Sequence, residues 1–134
     1  GVTETKHYAV MEKLLETREK TERLIVDTRF SGTRSDPDHR GSIEAISTEN
    51  FTPAALIYGV LDGMVQELYE MYQIITSETD QKKSKVIASG NGIRKNLWLQ
   101  KIVNEKFCMQ VQLAEYEEEA AVGAVRAAEL AEIP

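Results

Sequence analysis

The residues best suited to chemistry in this 134-residue chain lie in one stretch, Lys85-Val86-Ile87-Ala88-Ser89-Gly90-Asn91-Gly92-Ile93-Arg94-Lys95-Asn96. A short apolar run, Val86 to Ala88, drops into a small glycine-bearing turn, and an amphipathic segment follows at once. A strand, a tight turn and a helix start together expose backbone N–H groups to an anion such as a phosphate. Gly90 and Gly92 permit positive φ angles and close approach of a ligand. The pattern points to nucleotide handling. Glycine in such a turn can also be purely conformational, and that reading stays open.

The other reactive residue types form no constellation in sequence. His7 and His39 have no Cys or His at ligand spacing, so no metal site is expected. His39 lies in a polar loop, Ser31 to Gly41, whose Asp36 and Asp38 read as turn formers. That loop is long for a compact domain, which suggests a task. Glu117, Glu118 and Glu119 are consecutive, so on a helix they point in different directions and cannot share an ion. Trp98 reads as a packing residue, and Cys108, between Phe107 and Met109, as a small buried hydrophobe. No nucleophile–base pair and no Walker lysine motif is present, so no catalytic residue is expected within the chain.

The elements that position the turn follow from periodicity. Thr3 to about Lys20 reads as a helix on Tyr8, Met11, Leu14 and Leu15. Leu24 to Phe30 and Ser42 to Ile46 read as strands. Thr52-Pro53 marks a helix start, with threonine as N-cap and proline in the first turn. That helix is expected to run to about Ile75 and to bury Leu56, Val60, Met64, Leu68, Met71 and Ile75. Gly59 and Gly63, four apart on one face, predict close backbone packing against another element. Val86 to Ala88 is a strand. Asn96 caps a helix with Leu99, Ile102, Val103 and Phe107 inside, and Met109 to Leu113 alternates as a strand does. The last helix starts near Tyr116, and its small face, Ala120 to Ala128, suits tight packing. Strands alternating with helices give an α/β class, a small mixed sheet flanked by helices, within a single domain.

Composition narrows the partners. Hydrophobic residues make up 42% of the chain, enough for a core. A net charge of −6 argues against nucleic acid and anionic membranes, and the basic run Gln81 to Lys85 reads as a solvated loop. One cysteine allows no internal disulfide, which fits a reducing compartment and a cytoplasmic location. No apolar run approaches membrane-spanning length. The start, Gly1-Val2, suggests a processed or excised piece.

Four segments carry a family resemblance, in order and at sensible spacing, over roughly residues 24–130. Val86 to Gln100 resembles the "SGGGARSPLWLQ"-type adenosine motif of the FGGY carbohydrate kinases. Glu117 to Ala124 is similar to the family's closing "EATALGAA" helix. Phe30 to Arg34 with Pro37 and Arg40-Gly41 resembles its "GER.P…RG" loop, and Leu56 to Met64 resembles "RAVLEGIAF". The Gly32-Thr33-Arg34 form leans toward sedoheptulokinase-like members.

The resemblance implies a ribonuclease-H-like, actin-like ATPase half-domain, the final part of a second, C-terminal lobe. Residues 1–22 would be a leading helix, and 23–134 would match the family. The parent would use ATP and Mg²⁺ to phosphorylate a sugar hydroxyl. Gly90, Asn91 and Gly92 would approach the α-phosphate and ribose through their backbone, with Lys95 or Asn96 near the adenine. Asn91 stands where the family has its middle glycine. Its side chain would either crowd the site or share the left-handed conformation. The family's catalytic aspartate and first phosphate hairpin have no match here, so the chain alone is expected to be inactive and to bind nucleotide weakly or not at all. An apolar surface and a homodimer are further expectations. Two other readings stand beside this one: a binding module of the same fold without catalysis, and an unrelated α/β domain.

Overall fold

The computed structural model describes residues 4–18, 23–80, 83–115 and 119–131, with the backbone alone at residues 4, 5, 119 and 120. It divides into two compact units, Gly1–Gln81 and Lys82–Pro134.

The first unit contains α1 (Glu4–Glu16), β1 (Ile25–Asp27), β2 (Ser42–Glu44) and α2 (Pro53–Thr79). α1 ends at Glu16, short of the expected Lys20, where the Thr17 hydroxyl bonds back to the Lys13 and Leu14 carbonyls; Thr3 and residues 19 and 20 lie outside the described residues. β1 and β2 pair antiparallel, with Ile25 opposite Glu44 and Asp27 opposite Ser42. Around β1 the two-residue period is clear: Leu24 and Val26 are buried and Ile25 between them is exposed. Both strands are shorter than the sequence suggests, because beyond Asp27 the chain turns to close the Ser31–Gly41 loop rather than continue the ladder.

α2 begins as expected. Thr52 Oγ1 accepts from the Ala55 N–H at 3.2 Å, and Pro53 stands in the first turn. Asn50, wholly buried, secures the approach: its Oδ1 accepts from Ser47 N–H at 2.8 Å and its Nδ2 donates to Ala45 O at 2.7 Å. Two features of α2 differ from expectation. It runs to Thr79 rather than Ile75, because the hydroxyls of Thr76, Ser77 and Thr79 bond back to the carbonyls of Tyr72, Ile74 and Ile75 and so stay within the helix. Asp80 then ends it in the left-handed conformation, its N–H on Thr76 O. The buried face is also different in part: of the expected stripe, Leu56 and Val60 pack half-buried on Leu24, Val26 and Ala55. Ala55, Tyr58, Gly59, Leu61, Gly63 and Val65 face inward, while Met64, Leu68, Met71 and Ile75 are exposed. The two glycines explain this. A Cβ on Gly59 would come within 2.8 Å of Val26 Cγ2, and one on Gly63 would meet the Val26 carbonyl, so both let α2 lie directly on β1.

The second unit contains β3 (Lys85–Ala88), α3 (Asn91–Arg94), α4 (Leu97–Phe107), β4 (Gln110–Leu113) and α5 (Glu119–Ala131). β3 and β4 pair parallel in register from Lys85 opposite Gln110 to Ala88 opposite Leu113. The crossover between them is helical, as parallel pairing demands. Ile102 and Val103 of α4 are buried. α4 ends at Cys108, which corrects the expectation of a buried thiol: Cys108 is exposed and left-handed, with φ 51°. It holds the position where a helix is closed by an αL residue. Tight packing of α5 is corrected too, since Val125 and Leu130 are exposed and nothing lies within 4 Å of a Cβ on Gly123. Tyr116, Glu117 and Glu118 lie outside the described residues. Both strand senses are present, in two two-stranded sheets.

Candidate functional site

The turn leaves β3 at its C-terminal end. Ala88 is buried and still in the sheet, and its carbonyl accepts from Ala114 N–H at 2.8 Å, one bond beyond the β4 ladder. Gly90 then takes φ 97°, a conformation open in practice only to glycine, and caps the one-turn helix α3. Asn91 is helical, as the first residue of α3, and is not left-handed, so Gly90 alone bears the positive φ. Asn91 is exposed, as are Ser89, Gly92 and Lys95. Among the described residues, and apart from the chain immediately around each glycine, no heavy atom lies within 4 Å of where a Cβ would stand on Gly90 or Gly92. Gly92 therefore has neither a conformational nor an internal packing reason to be glycine. What its lack of a side chain supplies is an open approach from outside.

All five residues singled out in the sequence, Gly90, Asn91, Gly92, Lys95 and Asn96, lie on this one turn. Asn96 is committed in part. Its Oδ1 accepts from Leu99 N–H at 3.0 Å and caps α4, leaving its amide NH₂ for other contacts. Trp98 is half-buried, and Lys101 Nζ stands 4.6 Å from its ring centroid, so one ring face is occupied by a cation.

A second polar cluster, in the first unit, escaped sequence reading. Asp27 Oδ1 accepts from Arg29 N–H at 3.0 Å and from Arg29 Nε at 2.8 Å, and Oδ2 from Arg29 Nη2 at 2.7 Å. His39 Nε2 lies 2.8 Å from the same Oδ2. The Arg29 guanidinium, chiefly through its hydrogen bonds, holds the Asp27 carboxyl well below the usual carboxylate range, and Asp27 raises Arg29 in turn. With all these donors upon it, Asp27 is a poor proton acceptor. Its role is to pin the Ser31–Gly41 loop to β1 through His39. Only half of this is local in sequence. Asp27 and Arg29, two apart on extended chain, share a face, whereas His39 comes from twelve residues away. Beside the cluster is a cleft of about 250 Å³ reached by Arg29, Glu44, Glu67 and Glu70. Among the described residues no three or more His, Cys, Asp or Glu side chains gather to hold a metal ion, and no helix is long and apolar enough to cross a membrane.

A glycine turn closing a parallel strand defines only an α/β class. The family is more specific. Residues 3–132 match the FGGY family of carbohydrate kinases, C-terminal domain, and the chain belongs to that family, with the actin-like ATPase fold of its kinases. The match takes in α1. Among the solved structures that share the fold are two kinases. Glycerol kinase from Plasmodium falciparum, crystallised with ADP, is 22% identical with a TM-score of 0.71, over 87% of this chain and 23% of its own. A xyloylose kinase from Brucella ovis is 22% identical with a TM-score of 0.66, over 81% of this chain and 22% of its own. The chain thus spans less than a quarter of the length of either. No curated protein matches it.

Proposed function

We propose that these residues form the nucleotide-facing part of an ATP-dependent carbohydrate kinase, with 1–134 acting as one domain. The observation that carries this reading is Gly92: helical, exposed and free of neighbours, it leaves a bare patch of backbone beside Gly90 against which phosphate or ribose can lie. Asn91 joins that patch through its N–H, with its side chain directed to solvent rather than into a left-handed bend. Lys95 and the Asn96 amide stand at the adenine end. ADP in the similar Plasmodium falciparum glycerol kinase supports the assignment of the ligand class.

In the parent enzyme the sugar hydroxyl oxygen bonds to the γ-phosphorus of ATP. The bond from that phosphorus to the β–γ bridging oxygen breaks, ADP leaves, and the hydroxyl proton passes to a carboxylate base. Such transfer is mostly positioning and charge stabilisation, and this chain contributes the positioning of the nucleotide. On this reading Mg²⁺ and the base are supplied by other parts of the kinase, and the chain alone is expected to be inactive. The Gly32-Thr33-Arg34 form leans the reading toward sedoheptulokinase-like members of the family. Cys108, without a disulfide partner in the chain, supports a cytoplasmic location. Met64, Leu68, Met71 and Ile75, exposed and spaced four, three and four residues apart, form a seam of the kind by which helices pair. A second copy offers the same seam, and a homodimer through α2 is part of this reading.

Assaying the full-length parent with ATP against a panel of ketoses and polyols tests the activity. ADP release dependent on one sugar is the expected result. ATP left intact with every member would overturn it.

A further inference from the structure

α3 has only four residues, too few to stand on its own hydrogen bonds. Its internal closure consists of Arg94 N–H on Gly90 O at 3.2 Å and Lys95 N–H on Asn91 O at 3.1 Å. At its end Ile93 O accepts the Asn96 N–H at a long 3.4 Å. Gln100, one turn into α4, adds the shorter bond: its Nε2 donates to Ile93 O at 2.8 Å and reaches Arg94 O at 3.4 Å. Arg94 ties the same end to the sheet, donating from Nη2 to Ala114 O at 2.7 Å. Ala114 N–H in turn holds Ala88 O, where the turn began. The bare glycine segment is therefore fixed at both ends by groups that do not themselves belong to it.

We infer that Gln100 is a positioning residue for the nucleotide turn: by clamping the Ile93 and Arg94 carbonyls it holds the backbone of Gly90 to Gly92 in the shape that receives the ligand. The inference rests on the nucleotide reading above, and it makes a separate claim about the ligand-free chain. A flat, side-chain-free surface binds only if its backbone is already in place, since ordering it on binding would cost affinity. Gln100 sits on α4 behind the turn and need not touch the ligand.

The test compares the chain with Gln100→Leu and Gln100→Glu. Leucine keeps the bulk and removes the donor, and glutamate keeps the shape and sets a carboxylate against the two carbonyls. Amide exchange is followed without ligand, and ADP is then titrated. Loss of one such bond is expected to speed exchange at the Arg94 and Lys95 amides about tenfold and to weaken ADP by a similar factor. Exchange at the β3 and β4 amides and the thermal midpoint should stay at the parent values. Exchange at Arg94 and Lys95 as slow as in the parent would overturn the inference, whatever ADP does. So would faster exchange spread evenly through β3 and β4, since Gln100 would then be supporting the whole unit. Where ADP binds the parent chain too weakly to register, as expected of a chain spanning under a quarter of the similar kinases, the exchange data alone decide whether Gln100 holds the turn.

Discussion

The backbone of Gly63 in α2 lies directly against the carbonyl oxygen of Val26 in β1, so close that a Cβ would overlap it. The helix can rest on the strand only because that position has no side chain. Gly63→Ala should therefore destabilise the chain by about 2 kcal/mol through overpacking against backbone that cannot swing aside. That cost outweighs the roughly 1 kcal/mol by which alanine favours a helix over glycine. Gly123→Ala is the opposite case. Nothing stands near its Cβ in α5, so the same replacement should stabilise by about 0.5–1 kcal/mol. Urea unfolding of the two variants distinguishes them by sign, and a Gly63→Ala protein as stable as the parent would contradict the packing.

The Asp27 cluster gives a pH dependence of definite sign. The carboxyl is held below its ordinary value of 3.8 in the folded chain, chiefly by Arg29 and also by His39. A depressed folded value means stability that is fully present above the ordinary carboxylate range and is lost as pH falls below that range toward the folded value. Asp27→Asn removes the charge at every pH. Its stability deficit should be largest near pH 7 and should shrink as the pH is lowered to about 3. Denaturant midpoints across that range check this. A deficit independent of pH would mean that the charge contributes nothing.

Much of the fold was legible in the sequence, and the failures share physical causes. Thr52-Pro53 announced α2 because capping is written in adjacent residues. Gly59 and Gly63 announced a close approach, and β1 is what approaches. The buried face of α2 was misread because hydropathy rewards large side chains, while the face that touches β1 is lined by Ala55, Gly59 and Gly63, which have almost none. The helix end was missed because the hydroxyls of Thr76 and Thr79 turn back onto the helix instead of breaking it. At the glycine turn the residue types were legible and their division of labour was not. Gly90 bears the positive φ, and Gly92 is helical with open space around it. The clamp by Gln100 joins α4 to the end of α3 across the break at Asn96, which no spacing rule encodes.

Cys108 offers a test of the corrected helix end. At φ 51° a Cβ is strained, so Cys108→Gly should stabilise the second unit by about 0.5–1 kcal/mol. In the folded parent the exposed thiol should react fully with an aromatic disulfide reagent without denaturant. A thiol that reacts only after unfolding would restore the buried reading.

Pairing through α2 can be read from mass. Leu68, 55% exposed at the middle of the seam, is the residue whose replacement by aspartate should turn a dimer into a monomer in sedimentation while leaving the helix content unchanged. A parent chain that sediments as a monomer at high concentration would remove the dimer.

The central claim is that the backbone of Gly90 to Gly92 receives a nucleotide. Backbone-amide NMR during titration with ADP up to millimolar concentration measures this most directly, with Gly92→Ala alongside. The account predicts weak binding whose shifts concentrate on the amides from Ser89 to Asn96, and a Gly92→Ala chain equally stable but at least tenfold weaker, because a methyl now stands where the ligand would lie. Shifts centred on the cleft beside Asp27 and Arg29, or a Gly92→Ala chain that binds as the parent does, would contradict it.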